Sequence, residues 1–582
     1  MIESIFYILS FMGAVIGLTL CPKVEKKINF VVGIMFSYIS VLCVGSVGAF
    51  ILNLAGVPVN LWSMGGIYAV IALIAVFVCV KKKKIQKVCV RAIDILAVVV
   101  CVAVVGLIAL HIYTPYIHLN YNNAIDPSNH YLWAMGVSRD EKISGMFFAS
   151  LYNGMIINLF KWLLPVSWTY KAFIIADIYH TIIALLFFYA IAVVLLGDNK
   201  KRWLPLLVSL LYWCGCPLFS FGVGGYVYWG MSAMLVEYVF MMLKWFMEEK
   251  ELRKNITVMT LIGCFAEAVC YVQFAPGLLL TFLGVYIYNG VTEKRIQLKL
   301  NKKVIGIALG GCVAAGICAL IGYNMIFASR GIKLFEAFRL GNMSTNALEI
   351  LLVCPVIAFI MVDIYKRGEK WNVFHIGIFC YGGLQIVMTL FSAIGVISTY
   401  YLFKNYLVLW FLVFAVLLEQ KRKPSMEMRK KLVTYVVGMA CFLTLSYDGD
   451  DSGAVSLKHS IYLTNLNFFK ETDFSAGYMS DNGKLYLMQY AMEEMEERPI
   501  PVVVSNERMG AVSWYRGLYA EGRGFFHSNW TEEALEAKFD SAGVQYFIVF
   551  FDDLLYREQL HDYLDTFERV YENEDGFIAK RY

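Results

Sequence analysis

Residues 30–84 read FVVGIMFSYISVLCVGSVGAFILNLAGVPVNLWSMGGIYAVIALIAVFVCVKKKK, and this stretch decides the fold class. Two long apolar runs flank a short junction at 55–61, and no charged residue occurs before Lys81. Because a membrane-spanning helix needs about 20 mostly apolar residues, each run is long enough to cross a bilayer. The four lysines at the end are typical of a cytoplasmic loop after a span. The stretch therefore predicts two transmembrane helices.

The whole chain repeats this pattern. Its 582 residues are 59% hydrophobic and only 16% charged, whereas soluble domains carry about 25% charged residues. Basic clusters occupy every second junction, and the junctions at 55–61, 223–229 and 397–399 contain no Lys or Arg. We therefore predict about 14 transmembrane helices within 1–447, with the basic junctions in the cytoplasm and the N-terminus outside. The apolar segments begin near residues 2, 29, 62, 93, 170, 203, 230, 256, 275, 304, 346, 372, 400 and 432.

Charge divides the chain into two domains. Residues 448–582 hold 12 Lys and Arg against 25 Asp and Glu, and the preceding 447 residues hold 38 against 20. The basic residues lie in short clusters between apolar segments, which argues against nucleic acid as a partner. The acidic domain contains none of the 14 cysteines, and the topology predicts that it lies outside the cytoplasm.

The acidic domain shows strands alternating with helices, which predicts a small, partly parallel α/β domain. It contains no Gly-rich phosphate loop and no nucleophile elbow. The predicted order is helix NGKLYLMQYAMEEMEERP, strand IPVVVSN, helix TEEALEAKFDSAG, strand VQYFIVF, helix DLLYREQLHDYLDTF and hairpin ERVYENEDGFIAKRY.

The predicted external connection 114–169 contains the main candidate site, in YNNAIDPSNHYLW at 121–133. A carboxylate at the membrane–water boundary can act as a general base, which makes Asp126 a candidate. The alternative is that Asp126 only caps a helix in which Pro127 occupies the first turn. His130 can orient Asp126 or bind a phosphate oxygen, or it is an ordinary interfacial histidine. We expect the rest of the connection to form helices along the outer membrane surface, with a re-entrant hairpin as the alternative.

Cations on the predicted external side suggest a lipid-phosphate site. Lys404 lies near the external end of the thirteenth expected span, where snorkelling to the outer headgroups is the alternative role. Arg330, Lys333 and Arg339 lie in the second long external connection. A generic anionic lipid headgroup would suit them equally well.

Ionisable residues inside apolar spans are costly and therefore informative. Glu267, Asp177 and His180 fit a proton or ion pathway, or they are satisfied inside the helix bundle. Aromatic side chains near external span ends can stack on a sugar, although a membrane-interface belt is the ordinary explanation. These aromatic candidates are Tyr228, Trp229, Tyr400 and Tyr401.

This layout resembles the GT-C superfamily of integral membrane glycosyltransferases. The resemblance is carried by the first long external loop, AIDPSNHYLWAMGVSRDEKISG, and by the closing run GVQYFIVFFDD…FERVYENEDGFIAKRY. It departs from the simpler family plan because about four spans precede that loop instead of one. Like uncharacterised bacterial members of the family, the chain is expected in the bacterial cell membrane.

The resemblance implies an enzyme that uses a polyprenyl-phosphate-linked sugar and an envelope glycan or protein acceptor. Asp126 would be the base, and Lys404 and Arg339 would stabilise the phosphate leaving group. It implies no obligatory cofactor and no metal ligands, and it leaves a divalent cation open. The alternative functions are a flippase or transporter of lipid-linked saccharides, and a non-catalytic scaffold for envelope assembly.

Overall fold

The computed structural model describes most of the chain, and every structural statement below concerns the described residues. These are 2–21, 27–113, 134, 147–160, 170–197, 202–215, 227–293, 357–358, 360–366, 370–393, 405–419, 448–449, 455–456, 482–504, 512, 515 and 524–581.

The described part of residues 1–447 is almost entirely helical. Its helices are α1 (Ile2–Leu20), α2 (Phe30–Leu54), α3 (Leu61–Lys82), α4 (Ala92–Tyr113), α5 (Phe147–Phe160), α6 (Tyr170–Leu196), α7 (Leu204–Gly215), α8 (Val227–Glu248), α9 (Arg253–Cys270), α10 (Ala275–Thr292), α11 (Val373–Gly377), α12 (Gly383–Ala393) and α13 (Tyr406–Leu418). A π-helical turn at Ile378–Gly382 joins α11 to α12. Strands β1 (Ile28–Asn29) and β2 (Val88–Cys89) form a short parallel pair.

Seven helical stretches in the described residues are long and apolar enough to cross a membrane. Helical structure is found at twelve of the fourteen expected segments, since α11 and α12 together match one of them and residues 357–358 and 360–366 are helical in another. The structure therefore supports a helical membrane protein, while the total of fourteen spans stays a prediction. The segments expected from about 304 and 432 lie outside the described residues, and the segment expected from 346 is described only from 357 onwards.

Local sequence explains where these helices begin. Asn60 and Ser63 form a reciprocal cap at the start of α3, because each side chain accepts the other residue's backbone N–H at 2.9 Å. Asn29 caps α2 in a similar way, since its side chain accepts the N–H of Val32. Such caps satisfy backbone donors that a helix start leaves unpaired. The Asn60–Ser63 cap ends the short α2–α3 junction that the opening stretch predicts.

Direct contacts bring the basic junctions to one end of the bundle, which we call the basic end. The backbone N–H of Gln86, between α3 and α4, donates to the carbonyl of Leu20 at the end of α1. Lys244 near the end of α8 forms an ion pair with Glu419 just after α13, at 3.1 Å. Basic connectors that are far apart in sequence therefore meet in space, as alternating spans require.

Asp94, in the first turn of α4, connects three helices at the basic end. It is 1% exposed, and it accepts hydrogen bonds from Asn29 before α2 (2.7 Å), Tyr189 of α6 (2.8 Å) and the Arg91 guanidinium (2.8 Å). The Arg91 backbone N–H also donates to it. The carboxylate is well provided with donors, which is what a buried charge requires. We infer that Asp94 fixes the relative positions of α2, α4 and α6.

The C-terminal domain contains a five-stranded mixed sheet, which confirms the predicted sheet. The strand order is β6-β5-β7-β9-β8, with parallel pairing among the first three strands and antiparallel pairing among the last three. Its elements are α14 (Asn482–Glu493), β5 (Ile500–Val503), β6 (Phe525–Phe526), α15 (Glu532–Ala542), β7 (Tyr546–Phe550), α16 (His561–Leu564), β8 (Glu568–Asn573) and β9 (Gly576–Lys580). A short hairpin of β3 (Asp448–Gly449) and β4 (Val455–Ser456) precedes it.

Helices cover both faces of this sheet. Val502, Phe547 and Val549 pack with α15 on one face. Val503 and Ile548 belong to the apolar cluster that includes α14 on the other face. The alternation along β5 and β7 buries both faces, which explains their nearly continuous apolar sequences.

One predicted helix in this domain is wrong. DLLYREQLHDYLDTF forms a π-helical turn at Leu555–Gln559 and a four-residue helix α16, and Leu560 between them has φ −132° and ψ 28°. The preceding helix is as predicted, since Thr531 caps α15 and Gly543 ends it at φ 61°. The sequence analysis also missed β6, because two residues carry no strand periodicity.

Asp553 connects the ends of strands β5 and β7 through hydrogen bonds. Its Oδ1 accepts the backbone N–H of Val504, after β5, at 2.9 Å and that of Leu555, after β7, at 2.8 Å. The residue is 0% exposed, and burial raises the pKa of its carboxyl while the two N–H groups oppose that rise.

The raised pKa of the Asp553 carboxyl predicts how the stability of the folded domain depends on pH. The folded domain holds this proton more tightly than the unfolded chain, whose Asp pKa is about 3.9. The group's stabilising contribution is therefore complete below that value and is lost as the pH rises through the folded pKa. We expect Asp553→Asn to gain stability relative to wild type as the pH rises above the ordinary Asp pKa of about 3.9, measured by hydrogen exchange of the sheet amides in the whole protein. A stability difference that is constant with pH would contradict this assignment.

Candidate functional site

Three of the segments that carry candidate residues, those next to α4, α8 and α13, adjoin helix ends opposite the basic end. Since α8 and α13 finish together at the Lys244–Glu419 ion pair, both helices begin at this opposite end. Asp94 fixes the start of α4 at the basic end, so α4 also leads towards the opposite end. The loop with Asp126 follows α4, and Lys404 immediately precedes Asn405 and α13.

Several of these residues lie outside the described residues, so their predicted roles stay predictions. They are Asp126, His130, Arg330, Lys333, Arg339, Tyr400, Tyr401 and Lys404. Tyr228 and Trp229 lie in the first turn of α8, with side chains outside the description. The next residue after Lys404, Asn405, is 1% exposed, and its amide lies 3.6 Å from the sulfur of Met388 in α12.

Helix α5, which ends the candidate loop, is enclosed by other helices. It packs against α1, α2, α6, α8 and α9. The Tyr7 hydroxyl of α1 donates to the carbonyl of Met155 at 2.7 Å. Met155, Ile156 and Ile157 are each 1% exposed, although a helix lying on a surface leaves one side uncovered. This burial argues against a surface helix at residues 155–157, and the re-entrant alternative stays a prediction.

Glu267 occupies a fully buried position near the end of α9. It is 0% exposed, and its Oε1 accepts the Ser232 hydroxyl of α8. Its Oε2 has no hydrogen-bond partner. The predicted intramembrane charge is therefore buried between two helices and held by a single hydroxyl.

The chain reverses direction immediately after Glu267, inside the protein. Residues 271–274 link α9 to α10, and Phe274 in this turn is 0% exposed. The Tyr381 hydroxyl, from the π-helical turn, donates to the Phe274 carbonyl at 2.8 Å. A polar side chain thus satisfies a backbone group where the helices break, as buried irregular backbone requires. The expected spans from about 256 and 275 are therefore a hairpin with an enclosed turn.

Glu237 is a second buried carboxyl, which the sequence analysis missed. It is 2% exposed in α8 and accepts the Tyr212 hydroxyl of α7 at 2.6 Å. Trp410 of α13 donates to the backbone carbonyl of Tyr212 at 3.0 Å. The signal was present, because Glu237 is an isolated carboxylate in the apolar run GMSAMLVEYVFMML.

His180 and Asp177 lie on α6, one turn apart. His180 is 2% exposed, and neither ring nitrogen has a hydrogen-bond partner. The side chain of Asp177 is outside the description. A joint role for these two residues therefore stays a prediction.

Comparisons with known protein families, curated proteins and solved structures found no match. The geometry alone defines a helical membrane protein with a small C-terminal sheet domain. Among the described residues, two buried carboxyls that lie within the helices away from the basic end, Glu237 and Glu267, each have a hydroxyl donor. Such groups can bind a proton or accept a hydrogen bond from a polar ligand, and their burial makes them costly unless they have a role or a partner.

Proposed function

We propose that this protein is a GT-C type glycosyltransferase of the bacterial cell membrane. It transfers a sugar from a polyprenyl-phosphate donor to a cell-envelope acceptor on the outer face. One observation carries the proposal: the chain segments with Asp126, Lys404 and the aromatic candidates adjoin described helix ends on the same side of the bundle. That is the end opposite the basic junctions.

Chain connectivity limits how far the candidate loop lies from the protein interior. Ala134 is 0% exposed and belongs to the main apolar core. It follows His130 by four residues, and extended chain spans at most about 3.6 Å per residue. His130 is therefore tethered within about 14 Å of a buried position.

In the proposed reaction, Asp126 accepts the proton of an acceptor hydroxyl while its oxygen attacks the anomeric carbon. The bond from that carbon to the phosphate oxygen breaks, and the electron pair leaves with the lipid phosphate. Lys404 and Arg339 stabilise the charge on the leaving group. His130 orients Asp126 or binds a phosphate oxygen. Attack on the face opposite the leaving group gives inversion.

The proposal includes a topology, with the basic end in the cytoplasm and both the N-terminus and the C-terminal domain outside. We expect a membrane-impermeant maleimide to label Val57→Cys in intact cells, because this exposed residue lies between α2 and α3. Lys84→Cys, at the exposed α3–α4 junction, should react only after permeabilisation. The unmodified protein measures the background from native cysteines. The reverse labelling pattern would exclude this topology.

The activity test uses purified protein in lipid and a radiolabelled polyprenyl-phosphate hexose. The proposal expects label to move to an acceptor or to water with wild type, and not with Asp126→Asn. Glu267→Gln is the second variant, because it removes a buried charge without removing the proposed base. Unchanged transfer by Asp126→Asn would remove Asp126 as the base.

A transporter of lipid-linked saccharides is the second candidate. Buried Glu267 beside the broken α9–α10 hairpin supports it, since transporters place charges and broken helices near the middle of the membrane. This function expects saturable donor binding and movement of the donor across the bilayer without bond cleavage. If the protein is a transporter, Glu267→Gln should reduce movement of the donor across the bilayer, and Asp126→Asn should leave it unchanged.

A further inference from the structure

The end of α3 and the start of the α3–α4 connection form a lysine segment that the proposed reaction does not use. This segment, residues 81–87, reads KKKKIQK. Lys81, Lys83 and Lys87 are exposed, and the sequence from 26 to 93 contains no Asp or Glu. The lysine segment therefore concentrates positive charge in a part of the chain that supplies no carboxylate of its own.

Backbone hydrogen bonds fix the lysine segment to neighbouring elements. Lys83 ends α3 in a left-handed conformation, with φ 49° and ψ 34°. The backbone N–H of Gln86 donates to the Leu20 carbonyl of α1 at 2.8 Å, and the Lys87 carbonyl accepts the N–H of Ile28 at 2.9 Å. Gln86 is buried, whereas the lysines on both sides of it are exposed. The ammonium groups are thus carried by a backbone whose position is set before any ligand binds.

An exposed apolar stripe on α3 leads to the lysine segment. Its side chains recur at intervals of three and four residues, which places them on one face of a helix. They are Val70, Leu73, Ile74, Phe77 and Val80, each at least 54% exposed. On the other side of the same helix, Ala72 and Ala75 lie against Gly13 and Gly17 of α1. The bundle therefore covers one side of α3 and leaves the stripe uncovered.

The stripe and the lysines meet at the end of α3. The Lys81 ammonium nitrogen lies 6.0 Å from the centre of the Phe77 ring, one helical turn earlier. Ile85, inside the lysine segment, is 64% exposed. Long lysine side chains near the end of a spanning helix place their charge at headgroup depth while their stems cover apolar surface. The surface therefore presents cations and hydrocarbon side by side.

This combination indicates the class of ligand. A nucleic acid or an acidic protein segment would match the lysines but would leave the α3 stripe uncovered. A zwitterionic lipid would cover the stripe but would bring its own cation beside the lysines. An anionic phospholipid matches both features, since its phosphate pairs with ammonium groups and its acyl chains cover apolar side chains.

We propose that the lysine segment and the α3 stripe form a binding site for an anionic phospholipid. The headgroup phosphate lies against Lys81, Lys83 and Lys87. Ile85 inserts at the boundary between headgroups and acyl chains, and an acyl chain lies along the stripe. Lipid binding here does not require sugar transfer, so the site is independent of the proposed function.

The test titrates the detergent-solubilised whole protein with phosphatidylglycerol or phosphatidylcholine of identical acyl chains, and native mass spectrometry counts the bound lipids. We expect the first phosphatidylglycerol to bind about tenfold or more tightly than the first phosphatidylcholine, since each lysine beside an anionic headgroup contributes up to roughly fivefold. Replacing the three exposed lysines together, by Lys81→Gln, Lys83→Gln and Lys87→Gln, should abolish this preference and leave phosphatidylcholine binding unchanged.

A matched variant removes the same charge from elsewhere. Lys250, Lys254 and Lys370 are exposed lysines outside the lysine segment, and their combined replacement by Gln should keep the preference for phosphatidylglycerol. Ile85→Ser changes no charge, so it should weaken the binding of both lipids several-fold and also keep the preference. Inorganic phosphate, at the concentration of the lipid, should not displace phosphatidylglycerol, because it has no acyl chain.

Three results would overturn the proposal. The first is equal binding of the two lipids by the wild-type protein. The second is the same loss of preference in both triple-lysine variants, which would show a response to net charge alone. The third is displacement of phosphatidylglycerol by equal concentrations of inorganic phosphate, an RNA oligonucleotide or an acidic peptide, which would identify an anion site without a lipid component.

Discussion

Asp126→Asn is expected to lower the turnover rate of sugar transfer by about 10²–10⁴-fold, the usual contribution of a general base. An amide has nearly the same shape as the carboxylate but cannot take the proton from the acceptor hydroxyl. The loss should fall on kcat, with little change in KM, because the missing interaction develops only in the transition state. The measurement is a steady-state titration of labelled donor with the wild-type and variant proteins.

Glu251→Gln serves as the matched control, since Glu251 is an exposed carboxylate at the basic end. It should keep wild-type kinetics. A higher KM with unchanged kcat for Asp126→Asn would assign Asp126 to substrate binding. Wild-type values of both kcat and KM for this variant would leave the residue as a helix cap.

Asp94→Ala should cost about 3–5 kcal/mol of stability, the usual effect of breaking a buried charge network. The substitution leaves Asn29, Tyr189 and Arg91 without the acceptor that they share. Because these groups belong to different helices, α2, α4 and α6 lose a common attachment at the basic end. Thermal unfolding in detergent, followed by tryptophan fluorescence, measures the effect.

Glu251→Ala is the control for this second prediction, and an exposed carboxylate should change stability by no more than about 0.5 kcal/mol. Asp94→Asn should lie between the two, since it keeps one acceptor oxygen. Equal unfolding midpoints for Asp94→Ala and Glu251→Ala would show that the Asp94 hydrogen bonds do not hold the bundle together.

Much of the fold could be predicted because a bilayer imposes strong length and polarity limits on each segment. The runs at Phe30–Leu54 and Leu61–Lys82 each meet those limits by their own sequence, and both are helices in the structure. The sheet was also predictable, since β5 and β7 are short apolar strands with helix caps between them. The broken helix around Leu560 was not, because its sequence has helical periodicity and only tertiary packing interrupts it.

The candidate site was predicted less completely. A lone carboxylate in an apolar run marks both Glu267 and Glu237, but the sequence analysis used this signal only for Glu267. Their hydroxyl partners, Ser232 and Tyr212, could not be predicted, because each comes from another helix. Asp553 was missed for a similar reason: its significance depends on Val504, which lies 49 residues away in sequence.

The most direct test of the central claim is hexose transfer in sealed proteoliposomes with one known orientation of the protein. Labelled polyprenyl-phosphate hexose is placed in the membrane, and the anomeric configuration of the released or transferred sugar is determined by NMR. The account predicts inverted product that forms only on the side bearing the C-terminal domain. Donor that crosses the bilayer with its sugar–phosphate bond intact, and no product on either side, would contradict it and identify a transporter.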